Sequence, residues 1–392
     1  MPSVFEITSL DNDSKSLTVR VSGVDVSLVN AIRRVVLADL PNVGFRFDAT
    51  YHGPEQSIDI KQNDTPLHNE FMMHRLSLIP IHLSLKEIEA WDPNRYEFVI
   101  DKESTEDDHH VEVTTKDIRV IDKSTSQEQK SLRDRLFPPC PITKNHIILT
   151  KLKEGKGNAF RCTMRAGVDT ASTNASFGMV SMCTFGNVVD EKAAQKARKQ
   201  IRENNAEEDK EEIEKQIRQF DTLEVRRKYV VNKFKEACLF DFKIESECAV
   251  KANEIMSKAV EILLTNIRAL LLEDFEAEQL SEKLFAITMR NATHTEGNVL
   301  QALLFNHLIR GDDIPFEGKA PPARLRDFQL TYIGYTVPHP LDNRVLLKFT
   351  GKGIQTLEDA RAFFQDGVSH VANYIDAVIS EEWIKTYANY KK

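Results

Sequence analysis

The sequence predicts an α+β fold in which one strand–helix unit occurs twice in a single chain. The two copies would form an intramolecular pseudo-dimer, with a mainly β domain inserted into the first. Three observations carry this. Short runs that alternate apolar and polar residues are interleaved with stretches whose apolar residues fall at helical spacing. The two ends of the chain share one sequence pattern at a fixed offset. Each copy ends in a helix with a long apolar stripe, which needs a partner, and the other copy is the economical one.

The elements follow in order. Residues 4–7 and 17–21 alternate apolar and polar, and Asp11, Asn12, Asp13 and Ser14 supply the turn of a hairpin. A helix is expected from Ser27, which would cap it; Leu28, Ala31, Ile32, Val35 and Val36 form its stripe and Pro41 stops it. Residues 42–83 read as short strands and turns closing on a short helix at 68–76. Residues 84–135 are polar and charged and read as mostly surface. Residues 145–189 alternate again, with Gly155 and Gly157 in a turn between two strands.

Composition changes at 190–228. Residues 190–218 contain almost no large apolar side chains beyond Ile201, Ile213 and Ile217, which predicts a solvated helical pair or a mobile insert. Residues 239–245 return to strand alternation, and a helix carries Ala252, Ile255, Met256, Ala259, Leu263, Ile267, Leu270 and Leu271. The acidic stretch 273–282 reads as a linker. Residues 284–289 are a strand, Thr295 caps a helix, and 345–350 are a strand. Thr356 with Asp359 opens the last helix as a capping-box variant. Its stripe runs through Leu357, Ala360, Phe364, Val368, Val371, Ile375 and Val378.

The repeat is countable. A shift of 268 places Leu17 on Phe285, Val19 on Ile287, Val21 on Met289, Ser27 on Thr295 and Asn30 on Asn298. Ile32, Val35, Val36 and Leu37 then fall on Leu300, Leu303, Leu304 and Phe305 without a gap. The implied organisation is a split first unit at 1–40 and 229–273, an inserted domain at 41–228 with charged excursions at 85–135 and 190–228, a linker at 274–282, and a second unit at 283–392.

Composition excludes several classes. Of 392 residues, 41% are hydrophobic and 29% charged, as in ordinary soluble chains. Lys and Arg number 52 against 60 Asp and Glu, a formal charge of −8, which argues against a general nucleic-acid coat but leaves room for a small basic patch. The start MPSVFEITSL has no basic region before an apolar run, so no signal peptide is expected, and no stretch approaches the roughly 20 apolar residues of a membrane span. The five cysteines, Cys140, Cys162, Cys183, Cys238 and Cys248, are scattered with no pair at C-x₂-C spacing, so neither a disulfide framework nor a cysteine zinc site is expected.

Two segments resemble a known family. VSLVNAIRRVVLADLP (26–41) followed by HRLSLIPI (74–81) resembles the alpha-type assembly subunit of multisubunit RNA polymerases, including bacterial alpha and the third-largest subunit of the nuclear enzymes. Residues 148–166 and 240–271 continue that pattern. ATHTEGNVLQALLF (292–305) with YIGYTVPHP (332–340) resembles the small partner subunit that pairs with the alpha-like one. The resemblance covers most of the chain outside 85–135 and 190–228. It departs at Thr293 and Glu296, where the partner usually has an acidic residue and a Leu, and at the proline-rich stretch 311–326. Fused forms of this kind belong to large DNA viruses that transcribe outside the nucleus. The resemblance therefore implies a viral source, located in host cytoplasm and virion; without it the nucleus or cytoplasm is expected, and not secretion.

Asn30, Arg33 and Arg34 lie at i, i+3 and i+4 on one helix face, a cationic fork suited to carboxylates or carbonyls of a large subunit or else simply solvated. The resemblance implies that Arg33 and Arg34 face the beta-like subunit, with His74 and Arg75 also on partner-binding surface. Leu263, Ile267, Leu270, Phe364, Val368, Val371 and Ile375 are the expected intramolecular dimer interface. Asn298 and His339 read as structural, Asn30 and Asn298 tying down the loops before their helices. His339, between Pro338 and Pro340, sits at a rigid corner that re-aims the chain or meets a partner.

No catalytic residue, metal ligand or cofactor is expected, because nucleotidyl transfer needs carboxylates holding two metals and no such set stands out. The expected partners are the beta-like and beta-prime-like large subunits and other small polymerase subunits, with little direct DNA or RNA contact, no membrane and no need of a homo-oligomer. The alternatives are a metal-dependent enzyme using the Glu106, Asp107, Asp108, His109, His110 cluster, and a scaffold outside a polymerase.

Overall fold

The computed structural model describes residues 4–11, 13–48, 57–105, 111–205, 210–272, 275–311, 320–339, 341 and 344–390. The fold is α+β. The chain divides into two compact units: Met1–Val35, Met182–Ile244 and Met256–Lys392 form one, and Val36–Ser181 with Glu245–Ile255 the other.

The first unit is built on two four-stranded sheets. One runs in the order Phe5–Leu10, Ser16–Ser22, Leu239–Ser246, Val180–Asn187. The other runs Glu276–Gln279, Phe285–Arg290, Arg344–Gly351, Leu330–Thr336. In chain order both read first, second, fourth, third. A helix follows the second strand of each (Val26–Ala38 and His294–Leu304), and a longer helix follows the fourth (Ala252–Ala269 and Leu357–Tyr374). Alternation explains the strands. Along Ser16–Ser22 every second residue is buried, and Leu239–Ser246 repeats the pattern with Phe240, Phe242 and Ile244 inside.

The helix starts differ from expectation in a shared way. Asp25, not Ser27, opens the first helix: its Oδ1 accepts from Ser27 N at 2.8 Å and its carbonyl from Leu28 N. Thr293, not Thr295, is the N-cap of the second, in a capping box with Glu296. Asp25 and Thr293 are themselves 268 apart, so the repeat holds in the true caps. Ser27 and Thr295 sit buried in the first turns instead. Thr356 caps the Leu357 helix with Asp359, as its sequence predicts.

Glu276–Gln279 lies in the stretch read as linker from its acidity, yet it pairs antiparallel with Phe285–Arg290, Glu276 opposite Thr288. An edge strand needs apolar side chains on one face only, so so short a strand leaves little compositional trace. Beyond Tyr374 the last helix widens over Ile375–Ser380 and continues as Glu381–Tyr390.

The second unit centres on a five-stranded sheet in the order Ile58–Asn63, Ala159–Met164, Tyr96–Glu103, Ile118–Asp122, Gln127–Glu128. Residues 84–135 are mostly exposed or half-buried, as their polarity predicts, yet they also supply core strands of this sheet. Phe98, Ile100, Ile118 and Val120 are fully buried, and Phe45 packs edge-on to Phe98 at 5.1 Å. The alternation within two short strands was diluted by the polar residues on their outer faces. The strands flanking Gly155 (φ 112°) and Gly157 (φ 83°) do not pair with each other. Ile148–Lys151 joins Glu112–Thr114, while Ala159–Met164 lies between Ile58–Asn63 and Tyr96–Glu103. The expected short helix is Asn69–Ser77, capped by His68. In the charged excursion Glu191–Asn204 and Lys210–Gln219 form a helical pair.

Candidate partner-docking surface

The Asn30, Arg33, Arg34 face is half-buried to exposed and internally bonded. Arg33 donates to Asn30 Oδ1 through Nε (3.1 Å) and Nη2 (3.0 Å), so Asn30 holds a guanidinium instead of the preceding loop. Arg34 donates through Nε to Thr295 Oγ1 at 2.8 Å, 261 positions away on the equivalent helix of the other copy. The spacing placed the two cations side by side but gave no sign that one reaches the second copy.

Further polar contacts lie in the same unit. Asn306 Nδ2 donates to Asp25 Oδ2 at 2.9 Å. His307 Nδ1 and His370 Nε2 lie 3.0 Å apart, and Tyr374 meets the His307 ring edge-on at 4.8 Å. Burial lowers both imidazoles to about 4; at His307 the His370 ring adds to this and Asp25 opposes it. Burial, with Asp25, raises the Tyr374 hydroxyl.

Arg310 bonds Glu236 through both Nη atoms (2.6 and 2.8 Å), its guanidinium 4.4 Å from the Phe234 ring centre. Arg268 Nη2 donates to Asp376 at 2.8 Å. Trp383 Nε1 donates to Ser257 Oγ at 2.8 Å, and its ring lies edge-on to Phe5 at 5.6 Å. No fixed spacing announces these pairs, because they join positions 74 to 126 residues apart.

Leu263, Ile267, Leu270, Phe364, Val368, Val371 and Ile375 are all buried, none more than 5% exposed. Phe364 packs on Phe275 at 4.7 Å between ring centres. Asn298 is half-buried on the His294–Leu304 helix. His339 is exposed, and its Nδ1 accepts from Leu341 N at 3.1 Å, closing the local turn. Pro340 lies outside the described residues.

In the second unit Arg75 is turned onto backbone, donating to Leu149 O (2.9 Å) and Ile148 O (3.0 Å), which fastens its helix to the Ile148–Lys151 strand. His74 is exposed, and its carbonyl accepts from Ser77 Oγ. Phe71 and Leu78, each more than half exposed, flank it.

Among the described residues no three His, Cys, Asp or Glu side chains could hold a metal together. The 106–110 cluster lies outside them. Burial pushes the thiols of Cys162 and Cys183 up to about 12, so neither is a nucleophile near neutral pH. Among the described residues no helix is long and apolar enough to cross a membrane.

No family model matches the chain. Curated proteins do. Subunit rpac1 of DNA-directed RNA polymerases I and III of Dictyostelium discoideum is 22% identical over 144 residues, 37% of this chain and 34% of that protein. Subunit 3 of DNA-directed RNA polymerases II, IV and V of Arabidopsis thaliana is 24% identical over 196 residues, 46% of this chain and 56% of that protein. Subunit Rpo3 of the Thermococcus kodakarensis enzyme is 33% identical over 78 residues, 20% of this chain and 26% of that protein. The chain spans about a third of the first relative and just over half of the second. These relatives are, at low identity, alpha-like subunits of DNA-directed RNA polymerases.

Proposed function

We propose that this chain is a non-catalytic assembly-platform subunit of a DNA-directed RNA polymerase, in which an alpha-type unit and its small-partner-type unit are fused and pair within one molecule. The observation that carries the reading is the shared strand order of the two sheets, with equivalent helix caps at Asp25 and Thr293. The alpha-like relatives support the polymerase setting. The bonds Arg34–Thr295, Asp25–Asn306 and Arg268–Asp376, with the buried stripes of the Ala252–Ala269 and Leu357–Tyr374 helices, support an intramolecular pseudo-dimer.

On this reading the beta-like and beta-prime-like subunits dock on it, with other small subunits beside them. Arg33, Arg34, His74 and Arg75 contribute polar contacts; Arg33 and Arg34 are already held in place by Asn30 and Thr295. The fused arrangement favours a large DNA virus as source, and so the host cytoplasm and virion as location.

Affinity purification of the tagged chain from its source under mild salt tests this. Two large chains in stoichiometric amount, with DNA-dependent RNA synthesis in the eluate, are expected. An R33A/R34A variant should lose one large chain while keeping its own fold by circular dichroism. Recovery of the chain alone, or with partners unconnected to transcription, rejects the reading.

A further inference from the structure

We propose that the outer face of the Glu191–Asn204 helix, together with Arg226, Arg227 and Lys228, is a contact surface for the phosphodiester backbone of a nucleic acid. The helix carries five Lys and Arg against two Glu, in a chain whose formal charge is −8. Its inner face is fixed: Ala194 is fully buried, Arg198 Nε bonds Asp221 at 2.8 Å, and Asn205 bonds Ile201 O and Gln216. Its outer face presents Lys192, Lys196 and Lys199, all exposed, at i, i+4 and i+7.

The basic run at 226–228 is brought to the start of this helix by backbone bonds. Asp190 N donates to Lys228 O at 2.8 Å, and Val189 bridges Tyr229. Arg226, Arg227 and Lys228 are exposed. The nearby carboxylates are largely committed: Asp190 to the backbone amides of Lys192 and Ala193, Glu191 to Arg198 at 3.8 Å. Glu224 is the exposed exception.

Elsewhere the structure pairs exposed cations with acids, as at Lys61, Lys123, Lys151 and Lys385. Here Lys199 alone has a partner, Glu203 at 3.5 Å; among the described residues no carboxylate pairs with Lys192, Lys196, Arg226, Arg227 or Lys228. The helix stripe spans roughly 10 Å at 1.5 Å per residue, about the length of three nucleotide steps of one strand at about 3.4 Å each. Exposed lysines spaced along one helix face suit sequence-independent phosphate contact, not base reading. A net charge averaged over the chain hides such a patch. The proposal does not depend on the polymerase reading.

The test uses the full chain and fluorescence anisotropy with a labelled DNA duplex and a labelled single-stranded RNA of equal length. Binding should weaken steeply between about 50 and about 200 mM salt, with a log–log slope near −0.9 per phosphate neutralised for the duplex and near −0.7 for the single strand. The variant K192A/K196A/R226A/R227A should bind at least tenfold more weakly with a shallower slope. The charge-matched control K61A/K123A/K151A/K385A should keep both. The two probes separate DNA from RNA as the source of the phosphates. Equal losses in variant and control, no salt-dependent binding, or tighter binding of polyglutamate to the patch, which would mark an acidic protein as the partner, each overturn the proposal. Thermal melts of both variants check that the fold is kept, as substitutions at exposed sites should leave it.

Discussion

Arg34 is the residue on which two readings meet: it belongs to the helix face expected to dock a large subunit, and its Nε is bonded to Thr295 of the other copy. A half-exposed, charge-assisted bond of this kind contributes roughly 1 kcal/mol net. R34A and T295V, singly and together, should therefore be non-additive in urea unfolding by about that amount; additive losses would mean that the bond does not form in solution. The buried imidazole pair carries a second, pH-dependent expectation. His307 and His370 are lowered from the ordinary 6.5 to about 4, chiefly by burial. Between those values the unfolded chain takes up protons that the folded chain refuses. Stability should be full above about pH 6.5, fall as pH drops through that window, and stop falling below about 4. Asp25 faces His307 and opposes the shift, and Tyr374 beside it stays neutral. Comparison of urea midpoints at pH 7 and pH 5 checks this. The wild type should lose more stability than H307Q/H370Q, and equal losses would remove these histidines as the cause.

Among the elements, the helix Glu381–Tyr390 adds most to what the repeat alone implies. It carries Trp383, 1% exposed, onto Phe5 and Ser257, and Thr386 Oγ1 onto Phe5 O at 3.4 Å. Truncating a buried Trp typically costs about 3–5 kcal/mol, so W383A should lower the urea midpoint strongly, whereas K385A, at an exposed ion pair on the same helix, should change it little. Similar midpoints would mean that the helix is not docked. Gly297, in the His294–Leu304 helix, sets two effects against each other. Alanine is favoured in a helix by about 1 kcal/mol, but its Cβ would stand 2.8 Å from Tyr335 Cδ2 and 3.0 Å from Val345 Cγ1. Overpacking against a ring edge and a β-branched side chain costs about 1–3 kcal/mol, so G297A should destabilise; a gain would show that Tyr335 swings away freely. These elements also mark how far the sequence could be read. The Phe5–Leu10, Ser16–Ser22, Leu239–Ser246, Phe285–Arg290 and Arg344–Gly351 strands, the helices after them and the stripe residues from Leu263 to Ile375 were legible because one buried face imposes a period, whereas Leu330–Thr336 and Glu381–Tyr390 were not read. The Glu276–Gln279 strand was not, because it is short and acidic. The Phe98 and Val120 strands were lost in a polar average. The caps were misplaced by two residues because Ser27 and Thr295 are good caps by type, yet Asp25 and Thr293 come first. At the candidate site the cationic pair was visible, but the long-range partners Thr295, Asp376 and Ser257 were not, since pairing across more than a hundred residues leaves no local pattern.

At the scale of the whole molecule, the question is whether the connection between the copies is required or only convenient. The two sheets have the same strand order, and each copy supplies its own capped first helix and striped second helix. The bonds between copies come from several elements: Arg34 to Thr295, Asn306 to Asp25, Arg310 to Glu236, Arg268 to Asp376 and Trp383 to Ser257. Such a set, laid over buried apolar stripes, resembles a folded core more than a tether between independent domains. Covalent linkage then acts mainly by raising the effective concentration of one copy near the other, in the millimolar range for a short flexible connection. Fragments 1–272 and 275–392, coexpressed from separate reading frames, should accordingly co-purify one to one and elute at the mass of the intact chain. Because the loss is one of effective concentration, their complex should dissociate on dilution where the intact chain does not. W383A or R34A/R268A placed in the fragments should weaken it far more visibly than in the single chain. Fragments that each purify as stable, separate monomers would show that the two copies are neighbours joined by a linker, and the intramolecular pseudo-dimer would have to be given up.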